Sequence, residues 1–101
     1  MRRFGRRRGP RLPAASEGRY LEGRYAEAAD AAREAAEAHP EYAGLLYNLA
    51  CCESLAGRLD DAIEHLTLAI DRSERFRSYA AEDSDFSPLR EEPAFRALVA
   101  G

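Results

Sequence analysis

Apolar positions recur along the chain at spacings of three and four residues, broken by short turn signals. Between Tyr25 and Ala38 the stripe consists of Ala28, Ala31, Ala32, Ala35 and Ala38, with Glu27, Asp30, Glu34 and Glu37 turned to water. This predicts a helix over 25–38, ended by Pro40, with Ala36 facing solvent. Residues 42–56 form the most apolar helix, through Leu45, Leu46, Leu49, Cys52, Leu55 and Ala56. Gly57 turns the chain, and a helix over 59–71 carries Ala62, Ile63, Leu66, Ala69 and Ile70. Phe76, Tyr79 and Ala80 begin another helix, and residues 83–88 break it, leaving Phe86 and Leu89 to pack back. Pro93 suits the first position of a last helix, where its missing N–H costs nothing, and Phe95, Leu98 and Val99 then close the core. Upstream, residues 14–22 form a short helix anchored by Tyr20 and Leu21. No stretch alternates with the period of two that marks a strand.

Two of these segments are copies. GRYAEAADAAREAAEAHP (23–40) and GRLDDAIEHLTLAIDRSE (57–74) align at an offset of 34 residues. Gly23 falls on Gly57, Arg24 on Arg58, Tyr25 on Leu59, Ala28 on Ala62 and Ala35 on Ala69. A period of that size indicates an array of helical pairs. Composition points the same way. Apolar residues make up 46% of the 101, but 20 of them are alanine. Such a core must come from close helix approach through small side chains, not from a shell around a wide pocket. The fold class is therefore all-α, with stacked antiparallel helical hairpins.

The details resemble a known family. Gly, a large apolar residue two on, Ala five on, Ala twelve on and Pro seventeen on make residues 23–40 similar to the second half of a tetratricopeptide repeat. The second copy, LLYNLACCESLAGRLDDAIEHLTLAI, matches the repeat's framework at Leu46, Leu49, Ala50, Gly57, Leu59, Ala62, Leu66 and Ala69. Ala50 and Ala62 fall where the two helices of a hairpin approach closely, with Leu49, Leu59 and Leu66 filling the space beside them. Glu53 stands where the pattern usually has an aromatic, Ala15, Ser16 and Arg19 replace its large, small and aromatic residues, and Glu74 replaces the closing proline. SPLREEPAFRALV resembles the tail that often follows the last repeat in bacterial members. The organisation implied is an Arg-rich disordered arm over 1–13, two hairpins over 14–74, and a capping segment over 75–101.

The resemblance implies a scaffold without chemistry of its own, which binds a protein or peptide on a concave face lined by the first helix of each hairpin. Those positions are Glu17, Tyr20 and Leu21, then Gly44, Tyr47, Asn48, Cys51, Ser54 and Leu55. Tyr47 and Asn48 are the strongest candidates: an aromatic hydroxyl offers contact area at low entropic cost, and an amide can pair with a peptide backbone. Against this stands a plainer role for Tyr47, packing on the C-terminal tail. The carboxylate clamp of some relatives is not implied, because only Asn48 matches it and the chain has no lysine.

Charge divides the molecule. Residues 1–11 carry Arg2, Arg3, Arg6, Arg7, Arg8 and Arg11 and no acid, whereas the remainder holds nine Arg and all 18 acids. The arm would attract phosphates of a nucleic acid or an anionic surface. A solvated tail, a contact with a neighbour's acidic body and an upstream start remain open beside that reading, as does a structural, self-associating role for the whole chain. No apolar run is long enough to span a membrane, and no apolar core follows the basic start as an export signal requires. Cys51 and Cys52 are adjacent and too few for a disulfide framework, which suggests a reducing, cytoplasmic setting. Neighbouring helical positions point about 100° apart, so Cys51, Cys52 and His65 are not expected to hold a metal. His65 finds no catalytic set with Ser54 or Asp61, and no cofactor is implied. His39, beside Pro40, should be exposed.

Overall fold

The computed structural model describes residues 23–101. The arm, the opening helix expected over 14–22, and with it Glu17, Tyr20 and Leu21, lie outside the described residues. Helix α1 spans Tyr25–Ala38, α2 Ala43–Leu55 and α3 Leu59–Arg72. The short connections at 39–42 and 56–58 leave successive helices antiparallel, with α1 packed on α2 and α2 on α3. Among the described residues there is no strand.

Each hairpin element follows from its sequence, with one rotation that the pattern did not give. Helix α1 buries Ala28, Ala29, Ala32 and Ala36, while Ala31 and Ala35 are half-buried and Ala38 is exposed. Ala36 therefore faces the core and not solvent. In a helix whose apolar residues are nearly all alanine, no large side chain fixes which alanines turn inward, so rotation is set by what α2 presents. Helix α2 is buried on every side from Leu46 to Ser54. Helix α3 shows a one-sided stripe, Ala62, Leu66, Ala69 and Ile70. Ala50 and Ala62 are both fully buried, as close approach of α2 and α3 demands.

The α2–α3 turn shows why Gly57 recurs with Gly23. Arg58 N–H donates to the Glu53 carbonyl at 2.8 Å and Gly57 N–H to the Ser54 carbonyl at 3.2 Å, the paired bonds of a Schellman ending. This requires a left-handed residue after the helix, and Gly57 has φ +84°. Gly23, at φ +80°, is its counterpart before α1. Arg58 then reaches Asp30 on α1 at 2.8 Å, a link between the copies that is exposed and worth little on its own.

The C-terminal third continues as α4 (Arg75–Glu82), a 3₁₀ helix (Ser84–Leu89) and α5 (Pro93–Ala100), with Pro93 at the start of α5. The break after α4 is thus ordered: the Asp83 carboxylate accepts the Asp85 N–H at 3.0 Å and caps the 3₁₀ helix. That helix lies against α2, while α5 packs on α4 and α3. Phe76, Phe86, Leu89 and Phe95 are all buried there and join the same core as the hairpins.

Candidate partner-binding surfaces

The expected concave-face residues of the second hairpin come together, and they meet the chain's own tail. Tyr47, Asn48, Cys51 and Ser54 are essentially without solvent exposure, and Gly44 is buried beside them. Tyr47 is stacked on Phe76 with centroids 4.8 Å apart, meets Phe86 edge-on at 5.7 Å, and donates its hydroxyl to Asp83 Oδ2 at 2.9 Å. Ser54 donates to the Asp85 carbonyl at 2.8 Å. Where a partner peptide was expected to lie, residues 83–89 supply the aromatic contact, the acceptor carboxylate and the backbone carbonyl. The packing role weighed for Tyr47 is the one its surroundings show.

The same place brings the Cys51 sulfur and carboxylate oxygens of Asp83 and Asp85 within 4.8 Å of one another. The Asp83 carboxylate already accepts the Tyr47 hydroxyl and the Asp85 N–H, and the Cys51 thiol lies 3.9 Å from it. The cluster anchors the tail to α2. Cys52 is a buried thiol on the adjacent position, and His65 is engaged elsewhere, so the three do not form a ligand set.

On another face of α2 lies a residue that the sequence marks only as a departure from the repeat pattern. Glu53, fully buried, contacts His65 Nδ1 on α3 at 2.7 Å and accepts from Arg33 on α1 at 3.1 Å. Burial pushes its carboxyl above the ordinary value of 4.5, against the opposing pull of His65 and Arg33. The available signal was an acid inside the most apolar helix, at the position where the repeat pattern has an aromatic. His39 is exposed, as expected, and stacks on Tyr42.

Next to Glu53, a groove of about 220 Å³ opens between α1, α2 and α3. Leu46, Leu49 and Ala36 line it from α2 and α1; Arg33, Leu68 and Arg72 stand among its other walls. Leu68 is 38% exposed, one of two large apolar side chains among the described residues that remain open to water, with Tyr42. Glu37 also borders the groove, and Arg72 donates to the Pro40 carbonyl at its edge.

Duplicated helical pairs, glycine turns at matching positions and small residues at the crossings define a helical-hairpin repeat scaffold. The tetratricopeptide repeat family model matches residues 19–81, more than half of the chain, and the chain belongs to that family. Comparisons with curated proteins and with solved structures give no match. Tetratricopeptide repeats are non-catalytic scaffolds for protein interaction, and that general role holds for this chain. No helix among the described residues is long and apolar enough to cross a membrane.

Proposed function

We propose that the chain acts as an adaptor in which the groove floored by Leu46 and Leu49 receives a segment of a partner protein, one presenting an aliphatic side chain beside an acidic one. The carrying observation is the contrast in exposure. Tyr47 is 1% exposed beneath the C-terminal segment, whereas Leu68 stands open at the groove with Arg72 nearby. An aliphatic side chain would cover Leu68 and the edge of Leu46, and a neighbouring carboxylate would meet Arg72. Binding on the concave face, through Tyr47, Asn48, Cys51 and Ser54 with Tyr20 and Glu17, requires residues 83–89 to leave first. The two buried thiols, neither in a disulfide, fit a reducing, cytoplasmic setting for this adaptor.

The test is a photo-crosslinking residue placed at Leu68 and, separately, at Ala97 on the exposed side of α5, in the host cell. A discrete protein adduct at 68 that is absent at 97 and weakened by Arg72→Glu supports groove binding. Adducts from 97 alone, or from neither position, refute it. An adduct consisting of two copies of this chain refutes the partner reading and points to self-association.

A further inference from the structure

Glu53 is the feature that the repeat architecture does not require. It sits on α2 with a fully buried side chain, and every element packed around it answers with a charged or titratable group. From α1 comes Arg33 at 3.1 Å; from α3 come His65 at 2.7 Å and Asp61, itself 3.9 Å from Arg33. From the α2–α3 turn comes Arg58, which is tied to Asp30 on α1 at 2.8 Å. A buried carboxylate is tolerated only when paired, and its pairing partners here belong to the two helices that flank α2.

We propose that Glu53, His65 and Arg33 form a proton-responsive clasp that fastens α1 and α3 to α2. The 2.7 Å between Glu53 Oε1 and His65 Nδ1 holds a single hydrogen bond, and the pair is coupled, so its protons belong to both groups. With one added proton the link is a carboxylate facing an imidazolium, or equally a carboxyl facing an imidazole, and Arg33 completes the neutralisation. Without that proton, a buried anion is left with Arg33 as its cation and a neutral imidazole donating from Nδ1. With a second proton, His65 and Arg33 are two cations beside a neutral carboxyl. Burial favours the first of these states over the second, the direction in which Glu53 is displaced.

The sign follows from proton linkage. A carboxyl whose folded value lies above its unfolded value binds more protons in the folded state between those two values. Stability therefore falls as pH rises through that window. Because Arg33 and His65 also border the groove, the same proton changes the charge presented there by one.

Thermal unfolding from pH 4.5 to 8 tests the clasp in the full chain. Glutamine at position 53 cannot ionise, so Glu53→Gln should gain on the wild type as pH rises, the gap between the two melting temperatures moving by about 4 °C or more. Glu34→Gln, which removes an exposed acid of α1, should keep a constant offset from the wild type. A wild-type to Glu53→Gln gap that is independent of pH overturns the proposal. If Glu53→Gln does not fold, carbon-detected NMR of the side-chain carboxyls in the wild type decides instead. Read together with the His65 ring signals, the Glu53 carboxyl should show a protonation step shared by both groups, and independent steps at the two groups overturn the clasp.

Discussion

Replacing Phe95 by alanine tests whether the C-terminal third is part of the core or an appendage. Phe95 is 1% exposed and lies 5.7 Å from Phe86, whose ring in turn meets Tyr47 at 5.7 Å. The Arg90 guanidinium stands over the Phe95 ring, 5.5 Å from its centroid. Truncation removes an entire buried ring and leaves a cavity whose walls, Phe86 and α4, are themselves fixed. Core changes of this kind cost about 3–5 kcal/mol. A domain of this size has a total stability of about 5–15 kcal/mol, and each kcal/mol shifts its melting point by about 4–8 °C. The variant should then melt at least about 12 °C below the wild type in circular dichroism at 222 nm. With no tryptophan in the chain, near-ultraviolet ellipticity reports largely on tyrosine, Tyr47 included. That signal should fall in the same transition, because Tyr47 is seated on the aromatic cluster that Phe95 supports. Melting within 2 °C of the wild type would refute the packing argument. A loss of the near-ultraviolet signal well below the helical transition would show that the tail opens independently of the hairpins.

The other expectations are narrower. Ala62→Leu forces a larger side chain into the fully buried α2–α3 crossing and should cost roughly 1–3 kcal/mol by chemical denaturation; wild-type stability would contradict close approach there. Ala36→Leu, buried but bordering the groove, has space to occupy and should be close to neutral in the same assay; a loss matching Ala62→Leu would mean that the groove is closed in solution. Gly57→Ala should cost about 1–2 kcal/mol from its φ of +84° alone, since no atom stands within 4 Å of an added Cβ; an unchanged urea midpoint would refute the turn assignment. Tyr47→Phe keeps the ring and removes the hydroxyl donated to Asp83, so a destabilisation of about 1–2 kcal/mol is expected, and none would show that this bond does not hold the tail.

How much of this was legible in the sequence depends on how strongly each residue constrains its surroundings. Glycine at 23 and 57, proline at 93 and the one-sided stripe of 59–71 each admit few backbone solutions, and helix limits in the structure fall within a residue or two of those expected. The alanines of α1 admit several rotations, so the inward set came out as 28, 29, 32 and 36 instead of the 28, 31, 32, 35, 38 stripe. For α2 the difficulty was of another kind. A helix that is apolar nearly all round must be covered nearly all round, but its sequence does not say by what. The identity of that cover lay some 35 residues downstream, in Phe86 and Asp83, and periodicity carries no information across such a distance. Glu53 shows the converse case. It was visible as an exception to the family's pattern, yet its meaning depended on Arg33 and His65 arriving from two other helices.

The covering of α2 also bears on how far such an array can grow. In a solenoid each hairpin buries its apolar face against the next, so an uncapped end is an invitation to stack another copy. Helix α4 follows α3 as the first helix of a third hairpin would, but its partner α5 is short and turns back onto both α4 and α3. Phe76, Phe86, Leu89 and Phe95 are then all spent inside one chain, and none remains to receive a neighbour. The outward residues of α5, Ala94, Arg96, Ala97 and Ala100, are small or charged. End-to-end extension on that side is thereby closed by the same segment that covers Tyr47 and Ser54. Covering Tyr47 and ending the stack are one structural act here, because the short 3₁₀ helix that reaches back to Tyr47 also carries Phe86, on which Phe95 of α5 rests. A chain shortened before residue 83 would lose both together.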